Sequence, residues 1–156
     1  MSELDSFRTC AEDFCAVRDD AASVENVKFR RAVQRALALV FAAAVELPDV
    51  VPATSQPLEA DGDGLPSGVV EAAGDWYWGV ERVASPDHTP EPMLGDLAEG
   101  LAEIRHDLQP ILQASPGTAT ADLGWQARFD VVSHWGAHAL AALRVLHASP
   151  EEGRRP

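Results

Sequence analysis

The sequence is poor in positive charge and in cysteine, and it has no long apolar segment. It has 25 acidic and 12 basic residues, which gives a formal net charge of −13, and Lys28 is the only lysine. This excess of acid argues against sequence-independent binding to nucleic acid, which needs cations to replace the counterions of the phosphates. It argues equally against docking on an anionic membrane. The longest apolar run, residues 36–45, is about half as long as the roughly 20 residues that cross a bilayer.

The spacing of the cysteines and the absence of familiar catalytic motifs argue against further classes of protein. Cys10 and Cys15 lie about 140° apart on one helix and cannot bridge within it, so we interpret them as reduced thiols, with a redox or metal pair as the alternative. No Cys-x-x-Cys pair, phosphate-binding loop, His-Glu-x-x-His or Gly-x-Ser-x-Gly occurs, and we expect no cofactor. The N-terminus is acidic and lacks an apolar run, so we expect no signal peptide. These features predict a soluble, cytoplasmic protein, and the abundance of arginine and alanine is typical of bacteria.

The spacing of the apolar residues is helical almost throughout. It predicts helices over about 3–20, 24–46, 68–83 and 120–148. A further helix, the fourth in chain order, is predicted by an apolar stripe, and Pro110 should kink or end it. This helix begins either at Thr89 and Pro90 or at a capping box of Asp96 and Glu99. The stripe consists of Leu94, Leu97, Leu101, Ile104, Leu108 and Ile111.

The fold class that follows is all-α, a single-domain antiparallel bundle of about five helices. We expect this domain to span residues 1–148. Residues 48–68, rich in proline, glycine and aspartate, are predicted to form a long flexible loop, and residues 85–92 a second linker. Residues 149–156 are expected to be a disordered tail.

The predicted fifth helix carries two histidines one turn apart, His134 and His138. Imidazoles at this spacing lie on the same face and can bind a transition metal together. The alternative is a pair of histidines at the edge of the core, bonded to carbonyls or carboxylates. A regular wheel of about 100° per residue assigns Phe129, Val132 and Leu140 to the apolar face, where Gly136 permits close approach of a neighbouring backbone.

The predicted fourth helix offers acidic partners for these histidines. Glu103 and His106 have the Glu-x-x-His spacing of di-iron bundles. Glu103 and Asp107 nevertheless lie opposite the leucine stripe, which favours a solvated acidic face. Arg144 is about 80° from His134 on the wheel and could rim a pocket with both histidines and both carboxylates.

Three segments resemble a known family. Residues 97–108 read LAEGLAEIRHDL, residues 134–147 read HWGAHALAALRVLH, and residues 76–78 read WYW. Together they resemble an uncharacterised bacterial family known as a domain of unknown function, which implies a small, soluble, all-helical protein and no stated activity. The sequence departs from the family pattern at 81–83, where Glu-Arg-Val replaces Phe-Asp-Pro, and at His106, where arginine is usual. The marked positions that the resemblance implies are Trp78, Glu99, Glu103, Asp107, His134, Trp135, His138, Arg144 and His147.

Three functional hypotheses follow. The first is a non-catalytic interaction or accessory module that engages a protein partner, or a second copy of itself, through Trp78 and Glu99. Residues 51–100 carry ten acidic residues and one basic residue, so this part of the chain is where charge would recruit a partner. The second is a metal-dependent or histidine-based enzyme with its site around His134 and His138. The third is an acidic mimic of DNA, for which only the short acidic stripe of the fourth helix qualifies.

Overall fold

The chain folds into packed helices with one small strand ribbon. The computed structural model describes residues 2–19, 26–54, 56, 58, 76–80 and 92–148. The elements in these residues are α1 (Glu3–Asp19), α2 (Asn26–Val45), β1 (Trp76–Val80), β2 (Pro92–Asp96), α3 (Leu97–Leu112), α4 (Thr120–Asp130), a π-helical turn (Val131–Trp135) and α5 (Gly136–Ala148). We call the uninterrupted run of α4, the π-turn and α5 the C-terminal rod. The predicted all-α class is confirmed.

The strand ribbon overturns part of the predicted third helix. Residues 76–80 form β1, which pairs with β2 in antiparallel register from Trp76 opposite Asp96 to Val80 opposite Pro92. The helical prediction is wrong here. A few apolar positions in a short segment do not distinguish the spacing of a helix from that of a strand. Aromatic and β-branched residues, which fill β1, favour strands. Leu94, expected to lead the leucine stripe, lies in β2 and is 53% exposed.

Helix α3 begins and ends close to where its sequence predicts. The Ala98 amide donates to Oδ1 of Asp96 at 2.7 Å, so Asp96 caps the helix. Pro110 lies in the last turn, and the helix ends at Leu112. The remaining stripe residues are all buried, and they are Leu97, Leu101, Ile104, Leu108 and Ile111.

The core lies where the C-terminal rod packs between α2 and α3, with α1 covering α2. Trp135, fully buried, meets the ring of Phe41 edge to face at 6.3 Å between centroids. The other large, fully buried side chains are Phe7, Phe14, Val33, Leu37, Leu47, Leu97, Leu101, Ile104, Leu108 and Ile111.

None of the helices in the described residues is both long enough and apolar enough to cross a membrane.

The start of the expected loop is fastened to α4. The Thr54 amide donates to Oδ1 of Asp122 at 2.9 Å, and the Leu58 amide donates to Oε1 of Gln126 at 3.3 Å. Asp122 and Gln126 are both buried, and these bonds supply the partners that buried polar groups require.

Other predicted segments lie mostly outside the described residues. This holds for residues 59–68 of the expected loop, for the linker at 85–92 apart from Pro92, and for the tail at 149–156.

The π-turn decides which face of the C-terminal rod is buried. A π-turn takes an extra residue, which rotates the helix beyond it by roughly 100° relative to a regular wheel. One regular wheel therefore does not fit both sides of the turn, and Phe129, Val132 and Leu140, which it assigns to the apolar face, are 49%, 71% and 52% exposed. The buried face follows the π-turn instead, through Leu123, Ala127, Val131, Trp135, Ala139, Ala142 and Leu146.

Candidate metal site

Two neighbouring helices each contribute a pair of polar side chains spaced one turn apart. Glu103 and Asp107 lie on α3, while His134 lies in the π-turn and His138 in α5. The helices run antiparallel, so the pairs meet in reverse order. Nδ1 of His134 is 2.6 Å from Oδ2 of Asp107, and Nε2 of His138 is 3.0 Å from Oε2 of Glu103.

The bond between His134 and Asp107 fixes the tautomer of the histidine. A carboxylate only accepts hydrogen bonds, so Nδ1–H of His134 donates and Nε2 is left for another partner. Asp107 is the less exposed of the two, at 16% against 50% for His134. This hydrogen bond raises the pKa of His134 above its ordinary value, with Glu103 and Asp130 adding to the effect and burial opposing it.

A third carboxyl group, Asp130, lies one turn before His134 on the rod. Oδ1 of Asp130 accepts a hydrogen bond from Nε2 of Gln126 at 2.7 Å. Burial raises the pKa of Asp130 to about 6, and the nearby Asp107 charge raises it further, while the bond from Gln126 and the His134 charge lower it. The cluster therefore places three acidic groups around two histidines, which is a favourable environment for a cation.

The Asp130→Asn substitution is expected to stabilise the metal-free protein at neutral pH by about 1 kcal/mol and to have almost no effect near pH 4. The folded pKa of about 6 lies above the ordinary 3.8. The protonated carboxyl therefore favours the folded state, and this stability is lost as the pH rises from about 4 through about 6. The figure is about a third of what the shift alone implies, because the group is partly exposed to solvent. Asparagine keeps the oxygen that accepts from Gln126.

Urea unfolding in a chelator at about pH 4.5 and pH 8 measures this difference. The exposed Asp13 of α1 provides the control, because Asp13→Asn removes the same charge from a solvated position. An effect of Asp130→Asn that is equal at both pH values would contradict the assignment of Asp130 as a buried carboxyl whose ionised form is unfavourable.

Three of the side chains satisfy the spatial requirement for a common metal ion. The ligand atoms of Glu103, His134 and His138 lie within 4.8 Å of one another. Two ligands about 2.1 Å from one ion are about 3.0–3.4 Å apart when the arrangement is facial or tetrahedral. The widest of the three separations would therefore have to close by at most about 1–2 Å, which is within the reach of side-chain rotation. The two atoms of the pair His138 and Glu103, 3.0 Å apart, already have the separation of adjacent ligands.

The structure brings together four of the five residues that the sequence analysis grouped as a pocket. Glu103 and Asp107, expected on a solvated face, lie against the histidines instead, since the C-terminal rod covers this side of α3. Arg144 does not join them. It lies six residues beyond His138, which is about 120° around the helix and 9 Å along it, and it lines a separate cavity.

The remaining sequence candidates lie outside the cluster. Glu99 is exposed on the first turn of α3. Trp78 is in β1, and its side chain lies outside the part of the structure that is described. His106 is mostly exposed, with Nδ1 3.6 Å from Oδ1 of Asp107, so it borders the cluster without facing the other histidines.

The sequence analysis missed Asp130 as a member of this group. Its signal is present in the sequence, because Asp130, His134 and His138 are spaced at i, i+4 and i+8. In a regular helix the third of these drifts by about 80° from the first. The π-turn reduces this drift, and no sequence pattern announces a π-turn.

Comparison with known proteins identifies a family for this chain and a solved structure with a similar fold. Residues 1–150 match the domain of unknown function DUF5063, and the chain belongs to this family. The membership in an uncharacterised family that the sequence resemblance indicated is thus confirmed. The chain is also similar to protein BF1032 from Bacteroides fragilis, whose crystal structure matches 99% of this chain and 97% of that one with a TM-score of 0.72. At 19% identity this similarity concerns the fold alone. No curated protein matches the chain.

Proposed function

We propose that this protein binds one divalent transition-metal ion between α3 and the C-terminal rod. Glu103, His134 and His138 are the ligands, and Asp107 orients His134. The observation that supports this proposal is the convergence of three ligand atoms within 4.8 Å, from side chains on two separate helices. Imidazole nitrogen combined with one carboxylate favours zinc, iron, nickel or copper over the hard cations calcium and magnesium.

The part of Asp107 in this proposal follows from the hydrogen bond at Nδ1 of His134. Histidine ligands usually donate their other ring N–H to a carboxylate or carbonyl, which holds the ring in place and increases its basicity. The bond of 2.6 Å to Asp107 is of this kind, and it directs Nε2 of His134 to the ion. A metal ion would replace the direct contact of 3.0 Å between Nε2 of His138 and Oε2 of Glu103.

The ligand set is of the open kind. Two histidines and one carboxylate leave at least one coordination position for water or substrate, as in catalytic zinc sites and in non-haem iron enzymes. Half of the His134 side chain is exposed, so solvent reaches the position where the ion would lie. A metal-dependent enzyme is therefore the function that this geometry supports best, with a metal-bound water as the reactive group.

Metal counting tests the proposal. Untagged protein is stripped with a chelator, incubated with Zn²⁺ or, without oxygen, with Fe²⁺, and passed through a desalting column before its metal content is measured. The wild type is expected to retain about one equivalent of metal. The double variant His134→Ala/His138→Ala is expected to retain almost none. The variant His147→Ala, at an exposed histidine of α5, should behave as the wild type. Equal, substoichiometric retention by the wild type and the double variant would refute the proposal.

The Asp107→Ala substitution separates an orienting residue from a ligand. It is expected to weaken metal binding by about 10- to 100-fold, which is typical of losing the hydrogen-bond partner of a ligand, while the stoichiometry at saturation stays at about one. Calorimetric titration measures both quantities. Asp107→Asn keeps an acceptor oxygen for Nδ1–H and should recover part of the affinity. A stoichiometry of zero in Asp107→Ala, with a folded protein, would mean that Asp107 itself is an essential ligand.

The interaction module with a surface at Trp78 and Glu99 stays a prediction. It is compatible with a metal site, since the acidity of residues 51–100 lies in another part of the chain. A pull-down that compares the wild type with Trp78→Ala measures it directly, and equal retrieval of proteins by the two would remove its support.

A further inference from the structure

A second feature of the C-terminal rod faces α2 instead of α3. A cavity of about 660 Å³ lies there, within the size range of small-molecule sites. None of the four metal-site side chains lines it. Its walls include Phe41 and Val45 of α2, and Arg128, Val132, Leu140 and Arg144 of the rod.

The apolar part of this wall is unusually accessible. Val132, Leu140 and Val45 are 71%, 52% and 49% exposed. Covering such surface gains about 25 cal/mol for each square ångström removed from water. Val132 lies in the π-turn and Leu140 in α5, both on the side of the rod away from the buried Trp135 and Ala139.

Two guanidinium groups stand in this apolar wall. Arg128 donates from Nη1 to the carbonyl of Leu47 at 2.9 Å, which leaves most of its five N–H donors available. Arg144 makes no hydrogen bond or ion pair within the described part of the chain. None of the described residues that line the cavity is acidic, although the chain as a whole carries a net charge of −13. The cavity is thus a local concentration of positive charge on an acidic protein.

We propose that this cavity binds a small amphiphilic anion, a medium-length hydrocarbon that ends in a carboxylate. The hydrocarbon contacts Phe41, Val132 and Leu140. The carboxylate is bound by Arg144, because a guanidinium presents paired donors that match the two carboxylate oxygens. A second copy of the chain is the less suitable occupant, since two acidic molecules repel one another.

Calorimetric titration with decanoate, in the presence of a chelator, tests the proposal. Decanoate is expected to bind one site per chain and at least tenfold more tightly than decanol, which has the same hydrocarbon and no charge. Acetate, which has the charge without the hydrocarbon, should not bind measurably. The double variant His134→Ala/His138→Ala is expected to bind decanoate as the wild type does, which separates this site from the metal site.

Matched charge variants locate the site. Arg144→Glu is expected to weaken decanoate binding at least tenfold, whereas Arg35→Glu, the same change at an exposed position of α2 outside the cavity, should change it less than twofold. Val132→Asp, which places a charge on the apolar wall, should also weaken it at least tenfold.

Three results would overturn the proposal. The first is equal binding of decanoate and decanol. The second is an equal effect of Arg144→Glu and Arg35→Glu. The third is a dimer in sedimentation equilibrium that Val132→Asp dissociates, since a second copy would then occupy the cavity.

Discussion

The Gly136→Ala substitution is expected to lower the free energy of unfolding by about 3 kcal/mol, the upper range for an added methyl group in a packed site. A Cβ atom at Gly136 would overlap the carbonyl oxygen of Val131 and lie 3.1 Å from its carbonyl carbon. These are backbone atoms of the π-turn, so no side-chain rotation relieves the clash. The close backbone approach expected at Gly136 is thus an approach within the rod itself.

Gly124→Ala is the matched control, because Gly124 also lies within the rod and is buried. Its added Cβ would meet only Cγ2 of Val50 at 3.6 Å, an ordinary contact. Helix propensity alone predicts that both substitutions stabilise by up to about 1 kcal/mol. The structure predicts this gain for Gly124→Ala and a large loss for Gly136→Ala. Urea unfolding of the two metal-free variants measures the difference, and a gain in both would show that the π-turn is not required.

Saturating metal is expected to raise the free energy of unfolding by about 4 kcal/mol when its concentration exceeds the dissociation constant about a thousandfold. The ligands come from α3 and from the C-terminal rod, so only the folded chain brings Glu103 together with His134 and His138. Because the metal binds the folded state and not the unfolded chain, its binding stabilises the protein against unfolding. The gain should disappear in His134→Ala/His138→Ala and persist in His147→Ala.

Chemical unfolding with and without added Zn²⁺ measures this gain. It should shrink as the pH falls, because protons then compete with the metal for His134, whose pKa the hydrogen bond to Asp107 raises above the ordinary value. A gain of equal size in the double variant would mean that the metal binds elsewhere and would contradict the assignment of the site.

The parts of the site that lie on one helix could be predicted from the sequence, and the parts that depend on two helices could not. The spacing of His134 and His138 is local, so one turn of helix determines that they share a face. Glu103 and Asp107 are likewise one turn apart, but their position opposite the leucine stripe predicts exposure to solvent. Which helix covers this side of α3 depends on packing across the bundle.

The fold shows the same division. Regular spacing of apolar residues over many turns predicts α1, α2, α3 and the rod, because amphipathic stripes of that length fit one period only. The short run at residues 76–80 fits the spacing of a helix or of a strand. It forms a strand because it pairs with residues 92–96.

By itself the sequence determined an acidic, helical protein with a histidine pair on its last helix, since composition and periodicity are properties of the chain alone. The tertiary structure decided what that pair meets. Packing against α3 brought two carboxylates to the histidines. One π-turn, placed where Gly136 leaves room for it, brought Trp135 and Ala139 onto the same buried face as Ala127, while Val132 and Leu140 line a cavity with Arg144. A single extra residue in a helical turn changes the direction of every side chain beyond it, and only the packing of the whole bundle determines where such a turn is stable.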